Sequence, residues 1–515
     1  MSAGRPEPVP HQPHGSRTAS PRRFRSVLGW TVLNAVLPGT GLIAAGRRVA
    51  GAVVLLLFLA LLGAVTWFAL GNSQGLARWT VDASNLVWLV VGVAVVALLW
   101  AAVIVVGYRA LLPAGVSRGR HLLGALVVVL LVVAVAAPAY LAGRIAGTTR
   151  DVIADVFDDG ESATVVDVPD PFGDKERVNV LLLGGDGGQN RDGVRTDSVI
   201  VASIDTETGA TTLISLPRNL QNLPFPEDSP LSDVYPTPQG FWGGSETESL
   251  LNAVYRNGPA AYPDILGPTD NPGADFLKLG VGEALGLTID YYVLVNLNGF
   301  KQLVDALGGI TVDVNYYVPI GGDESAGVLP DGYIAPGPNQ ELDGYRALMY
   351  ARGRFGLTDY DRMARQRCTI DAIIDAADPV TLLRRYQELA ETTKDIVLTD
   401  IPSSALDDFV DLAFLVKDAS VRSLVFDTSV IDPAYPDYDL IRRLVDRALN
   451  PPPPSDGDGG GAPAPSTSTP PSDPAVDPEP EPTEDPVDDV QDACAYDPAQ
   501  AAEARAEGEP PSKFG

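Results

Sequence analysis

Five arginines, Arg352, Arg354, Arg362, Arg365 and Arg367, fall within "YARGRFGLTDYDRMARQR", residues 350–367 of a 515-residue chain whose formal net charge is −29. Guanidinium groups form two-pronged bonds to phosphate. Arg352 and Arg354 share a face if their segment is extended. Arg362, Arg365 and Gln366 stand at i, i+3 and i+4 on one helix face. They border an apolar stripe of Met363, Ile370, Ile373 and Ile374. Arg367 lies about 140° around the same helix from Arg362 and is expected to face elsewhere. Further candidates are Arg195 and Asp197 in "RTDS", Arg218 in "SLPR" and Asp186 in "GGDGG". Two readings fit these residues. In one, the arginines pair with local acids such as Asp359 and Asp361 on a solvated face. In the other, they surround a pyrophosphate while isolated aspartates hold Mg²⁺, an ion that takes one or two carboxylates plus phosphate oxygens and waters.

Composition narrows the chemistry. The histidines are His11, His14 and His121, all ahead of the long polar region. That region therefore has no Ser-His-Asp or Cys-His machinery and no zinc site of the usual His or clustered-Cys kind. Phosphoryl transfer needs positioning and charge neutralisation, and no histidine. "GGDGG" lacks the Gly-Lys-Ser/Thr of a P-loop and does not match the dinucleotide fingerprint, which argues against ATP or a dinucleotide. A strongly acidic chain is a poor nucleic-acid binder.

The elements that must position these groups are legible in the polar region, residues 176–449. "RVNVLLLGG" reads as a buried strand leaving into a glycine loop. "DSVIVASIDTETGATTLISLPR" reads as two strands joined at Thr206–Gly209. "ADFLKLGVGEALGL" and "NGFKQLVDALGG" read as helices, "DYYVLVNL" and "ITVDV" as strands, and "RMARQRCTIDAIIDAA" as a helix. Residues 400–448 add a helix–strand–helix passage. The fold class is α/β with a central sheet of mixed strand direction.

Ahead of this domain, residues 1–26 read as a disordered basic tail. Three charge-free stretches, 49–70, 86–106 and 122–142, are each long enough to span a bilayer. Residues 27–45 are broken by "PGTG" and read as a hairpin dipping into the membrane from the cytoplasmic face. Arg47, Arg48, Arg109, Arg118 and Arg120 place their loops inside by the positive-inside rule. Residues 143–175 then form a stalk, and the α/β domain lies outside the cell. Residues 450–515, rich in Pro, Gly and acid, read as a disordered tail. Cys368 and Cys494, the only cysteines, are expected to pair in an oxidising exterior, with residues 492–507 docking as a short helical element near Cys368.

"VLLLGGDG…RTDSVIVASID…TTLISLPR", then "DYYVLVNLNGFKQLVDALGGITVDV", then "LDGYRALMYARGR…DYDRMARQR", in that order, resemble the LytR-CpsA-Psr family over roughly residues 176–390. The resemblance implies a membrane-anchored, extracytoplasmic α/β/α domain. It implies a polyprenyl-pyrophosphate-linked glycan as donor and peptidoglycan as acceptor, joined by a phosphodiester. It further implies Mg²⁺, with Mn²⁺ as the alternative ion, on Asp186 and Asp197. Arg195, Arg218, Arg352, Arg354, Arg362 and Gln366 would surround the pyrophosphate, with Arg365 as a further member and Asp359 orienting the arginines. The residues expected to carry catalysis are Asp197, Arg195, Arg218 and Asp359. This chain departs from the family pattern at Asn219, where an acid is common, and at Leu250, where a lysine is common. Its three crossings also exceed the usual single anchor. Competing expectations are a polyprenyl-pyrophosphate hydrolase and a non-catalytic envelope sensor.

The topology is testable by thiol labelling. A cysteine introduced into residues 71–85 is expected to react with an impermeant maleimide in whole cells, and one introduced into 107–121 is expected not to react. The reverse pattern would refute the orientation.

Overall fold

The computed structural model describes residues 24–71, 83–113, 116–156, 160–165, 171–173, 175–185, 194–377, 397–451 and 487–513. They divide into two compact units, with the boundary near residue 146.

The first unit contains α1 (Phe24–Val36), α2 (Thr40–Ala44), α3 (Arg48–Gly71), α4 (Ala83–Leu111) and most of α5 (Arg118–Val156). Three of these helices are long and apolar enough to cross a bilayer, over Arg48–Phe68, Asn85–Leu111 and Arg118–Gly147. The 27–45 stretch is a pair of helices, and its break is held by one amide. Asn34 Oδ1 accepts from the backbone N–H groups of Gly39 at 2.9 Å and Gly41 at 3.0 Å. Its Nδ2 donates to the Val103 carbonyl of α4 at 3.0 Å. In hydrocarbon such backbone groups must be satisfied internally, and the buried Asn34 satisfies three at the helix break.

The second unit is built on a seven-stranded sheet. Its strands are β1 (Arg177–Gly185), β2 (Thr196–Asp205), β3 (Thr211–Leu216), β4 (Tyr291–Asn296), β9 (Val397–Thr399), β10 (Val421–Val425) and β11 (Val487–Asp489), in the order β11-β10-β3-β2-β1-β4-β9. β1/β4 and β10/β3 are parallel and the other neighbours antiparallel, so the sheet is mixed. Strand periodicity divides the side chains between two faces. Val199 and Val201 enter one core with Leu181, Ile214 and Phe276, whereas Ile200 and Ala202 enter a second with Leu213 and Val421. The first core is closed by α6 (Leu251–Ala261), α7 (Pro272–Leu285) and α12 (Tyr438–Leu449). The second is closed by Ile370 and Ile374 of α10 (Asp359–Ala376). Two small ribbons, β5 (Ile310–Val314) with β8 (Gly337–Leu342) and β6 (Val318–Ile320) with β7 (Gly332–Ile334), pack with α8 (Leu297–Leu307), α9 (Gly344–Arg352) and α10.

Two boundaries read from the sequence are corrected. The stalk at 143–175 is in part a packed strap. Ser162 Oγ, Ala163 N–H and Thr164 Oγ1 all donate to the buried Asp275 carboxylate on α7. Desolvating that carboxylate is tolerable because four donors, with Thr269 Oγ1 at 2.5 Å, converge on it. The tail read as disordered over 450–515 is ordered at its end. β11 pairs with β10, and α13 (Val490–Cys494) and α14 (Pro498–Glu507) follow it. Cys494 is bonded to Cys368 of α10 across a sequence separation of 126. In the chain-entropy account, closing such a loop stabilises by about 4–5 kcal/mol.

The β4/β9 edge is tied to the core by a buried ion pair. Lys278 Nζ on α7 donates to Asp400 Oδ2 at 2.6 Å and to the Asp290 carbonyl at 2.8 Å. The Tyr292 N–H donates to the other Asp400 oxygen. Removing one partner leaves the other charge buried, which costs about 3–5 kcal/mol. Lys278→Ala is therefore expected to lower stability by that amount in denaturant titrations, and Lys278→Ala/Asp400→Leu to recover part of the loss.

Candidate active site

The site forms where β1, β2 and β3 end together. β1 is an apolar run until Gly184 and Gly185, and the β1/β2 register shifts between them. A bulge re-aims the side chains beside it, and Asp197 lies in the register next to it, at the mouth of β2. A Cβ on Gly184 would approach Ser198 Oγ to 2.9 Å, so a larger residue there would require the Ser198 side chain to shift. β3 ends at Leu216, and Pro217 carries the chain out so that Arg218 returns over Asp197. Arg218 Nη1 donates to Asp197 Oδ1 at 2.8 Å.

The second half of the site comes from the arginine-rich segment. A capping box of Thr358 and Asp361 starts α10. It sets Asp359 in the first turn, where a carboxylate is favoured by the helix dipole. Arg362 follows one turn later and donates Nη2 to Asp359 Oδ2 at 3.1 Å and to the Asp197 backbone carbonyl at 3.0 Å. Arg218 Nε and Arg354 Nη1 approach Asp359 Oδ1 to 3.4 Å and 3.5 Å. Three guanidiniums, from Arg218, Arg354 and Arg362, thus share two carboxylates, Asp197 and Asp359. The crevice has an excess of positive charge within an acidic chain. Asp359 Oδ1 and Arg362 Nε are buried with no hydrogen-bond partner among the described residues.

The electrostatics follow from this crowding. Burial opposes ionisation of Asp197, but the Arg218 hydrogen bond and the charges of Arg218 and Arg362 prevail and hold its carboxyl below the usual aspartate range. Burial pushes Arg362 down to about 10, against the attraction of Asp359 and Asp197. At neutral pH both groups remain charged.

Other residues singled out in the sequence take different places. Arg195 Nη2 donates to Glu248 Oε1 at 2.6 Å, one residue before β2. Arg352 closes α9 at the surface, so it and Arg354 do not share an extended strand as expected. Gln366 is half-buried on α10. Asp186 lies outside the described residues. Arg365 is corrected. Its side chain is buried and donates to the carbonyls of Tyr350 at 2.7 Å and Gly353, and to the Tyr316 hydroxyl at 2.8 Å. Three donors spent on this framework hold the Tyr350–Gly353 turn that presents Arg354. Arg365 thus positions that turn, its donors directed at Tyr350, Gly353 and Tyr316 rather than at Asp197 or Asp359. Arg367 points to the opposite flank, where it donates to Ser423 Oγ at 2.9 Å and pairs with Asp488 of β11.

The family model described as the LytR_cpsA_psr family matches residues 148–432. The chain belongs to this family. Among its relatives is the polyisoprenyl-teichoic acid–peptidoglycan teichoic acid transferase TagU of Enterococcus faecalis. The two are 30% identical over 250 residues, covering 48% of this chain and 67% of that protein. The biofilm regulatory protein A of Streptococcus mutans is 27% identical over 244 residues, covering 46% and 53%. The crystal structure of Bacillus subtilis TagV aligns over 54% of this chain and 99% of its own, with 23% identity and a TM-score of 0.36. This chain thus spans between about half and two thirds of the length of the first two relatives.

Within this LytR_cpsA_psr domain, two site residues were not singled out in the sequence. Glu248 accepts from Arg195, Arg256 and Asn257. The Asn257 amide first, then the charges of Arg195 and Arg256, hold it below the usual carboxylate range. Asn252 of α6 donates to Asp197 Oδ1 at 3.3 Å. The only sequence signal for either was the polar "ETES" loop running directly into "LNAVYRN".

The arginines of α10 are separable by experiment. Arg362→Lys is expected to reduce site function by roughly 10- to 150-fold, since a charge-assisted contact is worth about 1.5–3 kcal/mol and an ammonium lacks the two-pronged geometry. Arg365→Ala is expected to lower the unfolding free energy by about 1–3 kcal/mol through the stranded carbonyls, and the midpoint with it. Arg367→Ala is expected to change turnover little. Turnover paired with thermal unfolding of each variant separates the three roles.

Proposed function

We propose that the α/β domain acts outside the cell, transferring a glycopolymer from a polyprenyl-pyrophosphate carrier to peptidoglycan as a phosphodiester. The observation that carries this reading is the shared-carboxylate cluster with its unsatisfied atoms. Arg218, Arg354 and Arg362 converge from separate segments, and the buried Nε of Arg362 lacks an acceptor among the described residues. A diphosphate supplies acceptor oxygens and the negative charge that the crevice lacks. The TagU relative of Enterococcus faecalis is named for a transfer of this chemical class.

In this reading a sugar hydroxyl of peptidoglycan attacks the phosphorus nearest the glycan. The new P–O bond forms as the bond to the distal phosphate breaks. Polyprenyl phosphate leaves and carries away the hydroxyl proton. Arg218 and Arg362 stabilise the charge that builds on the phosphoryl and leaving oxygens. Asp359 holds Arg218, Arg354 and Arg362 close together in spite of their like charge. Asp197, kept ionised below the usual range, is a weak base, so its part is to orient Arg218 and to offer a hard oxygen ligand.

That ligand fits Mg²⁺. Both side-chain donors to Asp197 among the described residues, Arg218 and Asn252, reach Oδ1. A single carboxylate completed by phosphate oxygens and waters is ordinary for this ion. Asp186, in the adjoining glycine loop, is the second proposed ligand. The ion, when bound, would neutralise diphosphate charge.

Purified protein in nanodiscs, given a prenyl-pyrophosphate glycan and peptidoglycan fragments, is expected to yield the linked product and polyprenyl phosphate. Asp197→Asn is expected to lose Mg²⁺ affinity and transfer together while remaining folded, with a lower thermal midpoint because the charge facing Arg218 and Arg362 is gone. Asp197 contributes its charge above the unfolded aspartate pKa of about 3.9 and loses it only as pH falls through its lower folded value. Transfer is therefore expected to keep its Asp197-dependent rate down to about pH 4. Polyprenyl phosphate released at the same rate without acceptor would identify a hydrolase. Full cellular function in Asp197→Asn would identify a sensor.

A further inference from the structure

A second concave site lies beside the arginine crevice, in the loop between residues 222 and 262, and nothing above uses it. It encloses about 760 Å³, and no charged side chain lines it. Its walls carry two exposed rings, Trp242, which is 57% exposed, and Tyr262, which is 40% exposed. Tyr235 lines it as well, is only 5% exposed, and its hydroxyl has no hydrogen-bond partner among the described residues. A buried hydroxyl without a partner is costly unless a ligand or water completes it. The amides of Asn222 and Gln239 also face no protein partner among the described residues. Burial, with Tyr262 adding to it, pushes Tyr235 up to about 12, so the phenol is a hydrogen-bond donor at physiological pH.

The loop is built to hold this shape. Gly240 has φ +60°, and a Cβ there would lie 2.3 Å from the Asn222 carbonyl. The close approach fixes Phe241 N–H on the Leu223 carbonyl at 2.9 Å and turns Trp242 outward. The far wall is Asn257, whose Nδ2 donates to Glu248 Oε2 at 2.7 Å, and Glu248 in turn accepts from Arg195. One helix, α6, thus supplies Asn257 to this pocket and Asn252 to Asp197.

Open aromatic faces, neutral amides and an unsatisfied phenol suit a ligand with apolar C–H faces and hydroxyl or acetamido edges, and without charge. We infer that this pocket binds pyranose rings of a glycan and so seats saccharide next to the reacting phosphate. Among the described residues the lining itself carries no cation for a nucleotide or an anionic headgroup, and Arg256, which donates to the lining Asn257 at 2.9 Å, is paired with Glu248. The inference rests on the transfer reading for its purpose, but saccharide binding can be measured without any turnover. The saccharide has two sources, the peptidoglycan acceptor or the sugar next to the donor pyrophosphate.

The test uses full-length protein in nanodiscs and isothermal titration. One arm titrates the peptidoglycan disaccharide. The other compares a short-chain prenyl pyrophosphate bearing one N-acetylhexosamine with the same lipid lacking the sugar. Trp242→Ala and Tyr235→Phe are each expected to weaken one saccharide by roughly 2- to 12-fold, the range set by a single aromatic or hydrogen-bond contact. A loss confined to the disaccharide assigns the pocket to the acceptor. A loss confined to the sugar-bearing lipid assigns it to the donor. Arg218→Ala is expected to abolish transfer and leave disaccharide affinity unchanged. If transfer is absent even in the wild type while Trp242-dependent saccharide binding persists, the pocket stands and the transfer reading falls. If neither variant alters either saccharide's affinity, the inference is overturned.

Discussion

Like charges do not gather without a counter-charge, and the whole α/β unit is arranged around that constraint. Arg218, Arg354 and Arg362 are held within reach of one another because Asp359 lies among them and Asp197 takes one more contact. At an effective dielectric constant near 20, two unit charges 4 Å apart interact by about 4 kcal/mol. Without the aspartates the three guanidiniums would repel one another, most strongly around the buried Arg362 and least at Arg354, whose exposure lets water screen it. The sheet supplies Asp197 at a bulged strand mouth, and the capping box supplies Asp359 in a helix's first turn. The rigid parts therefore carry the acids, and the arginines are organised by them.

The fold was legible because its elements are locally consistent. The run "VLLLGG" and the alternation in "DSVIVASID" specify β1 and β2 by period and by glycine stops, and β4, α7 and α8 are similarly marked. The face of Arg362 was legible from helical spacing. Spacing failed for Arg365, which lies on the same side of α10 and is as buried as Arg362, because the Tyr350 and Gly353 carbonyls capture it. Periodicity reports the direction of a side chain and not which acceptors another segment brings to it. Glu248 was invisible for another reason. It belongs to a short irregular loop, and its importance comes from Arg195 and Asn257, which only the fold brings to it. Lys278 and Asp400, 122 residues apart, form a buried pair that no local pattern announces. The ordered end of the tail was masked by the Pro-rich composition that precedes it.

Both edges of α10 are constrained by other segments. On one side Arg365 fastens the turn before α10. On the other, Arg367 and Cys368 meet β11 and α13, elements from the last thirty residues of the chain. Arg505 adds a bond to the Pro336 carbonyl and Lys513 an ion pair with Asp331, so the terminal segment also reaches the small ribbons. These contacts bear on the placement of Arg362, which lies under two turns from Cys368 on the same helix.

The Cys368–Cys494 bond has a further consequence for the chain as a covalent object. Residues 452–486, rich in Pro, Gly, Ser and acid, lie inside the ring that it closes. A single protease cut in that stretch would open the ring without shedding anything. The molecule would become two polypeptides joined by sulfur, with the seventh strand still in the sheet. Its apparent integrity would then depend on whether it was viewed under reducing conditions, and its working life on the thiol chemistry around it.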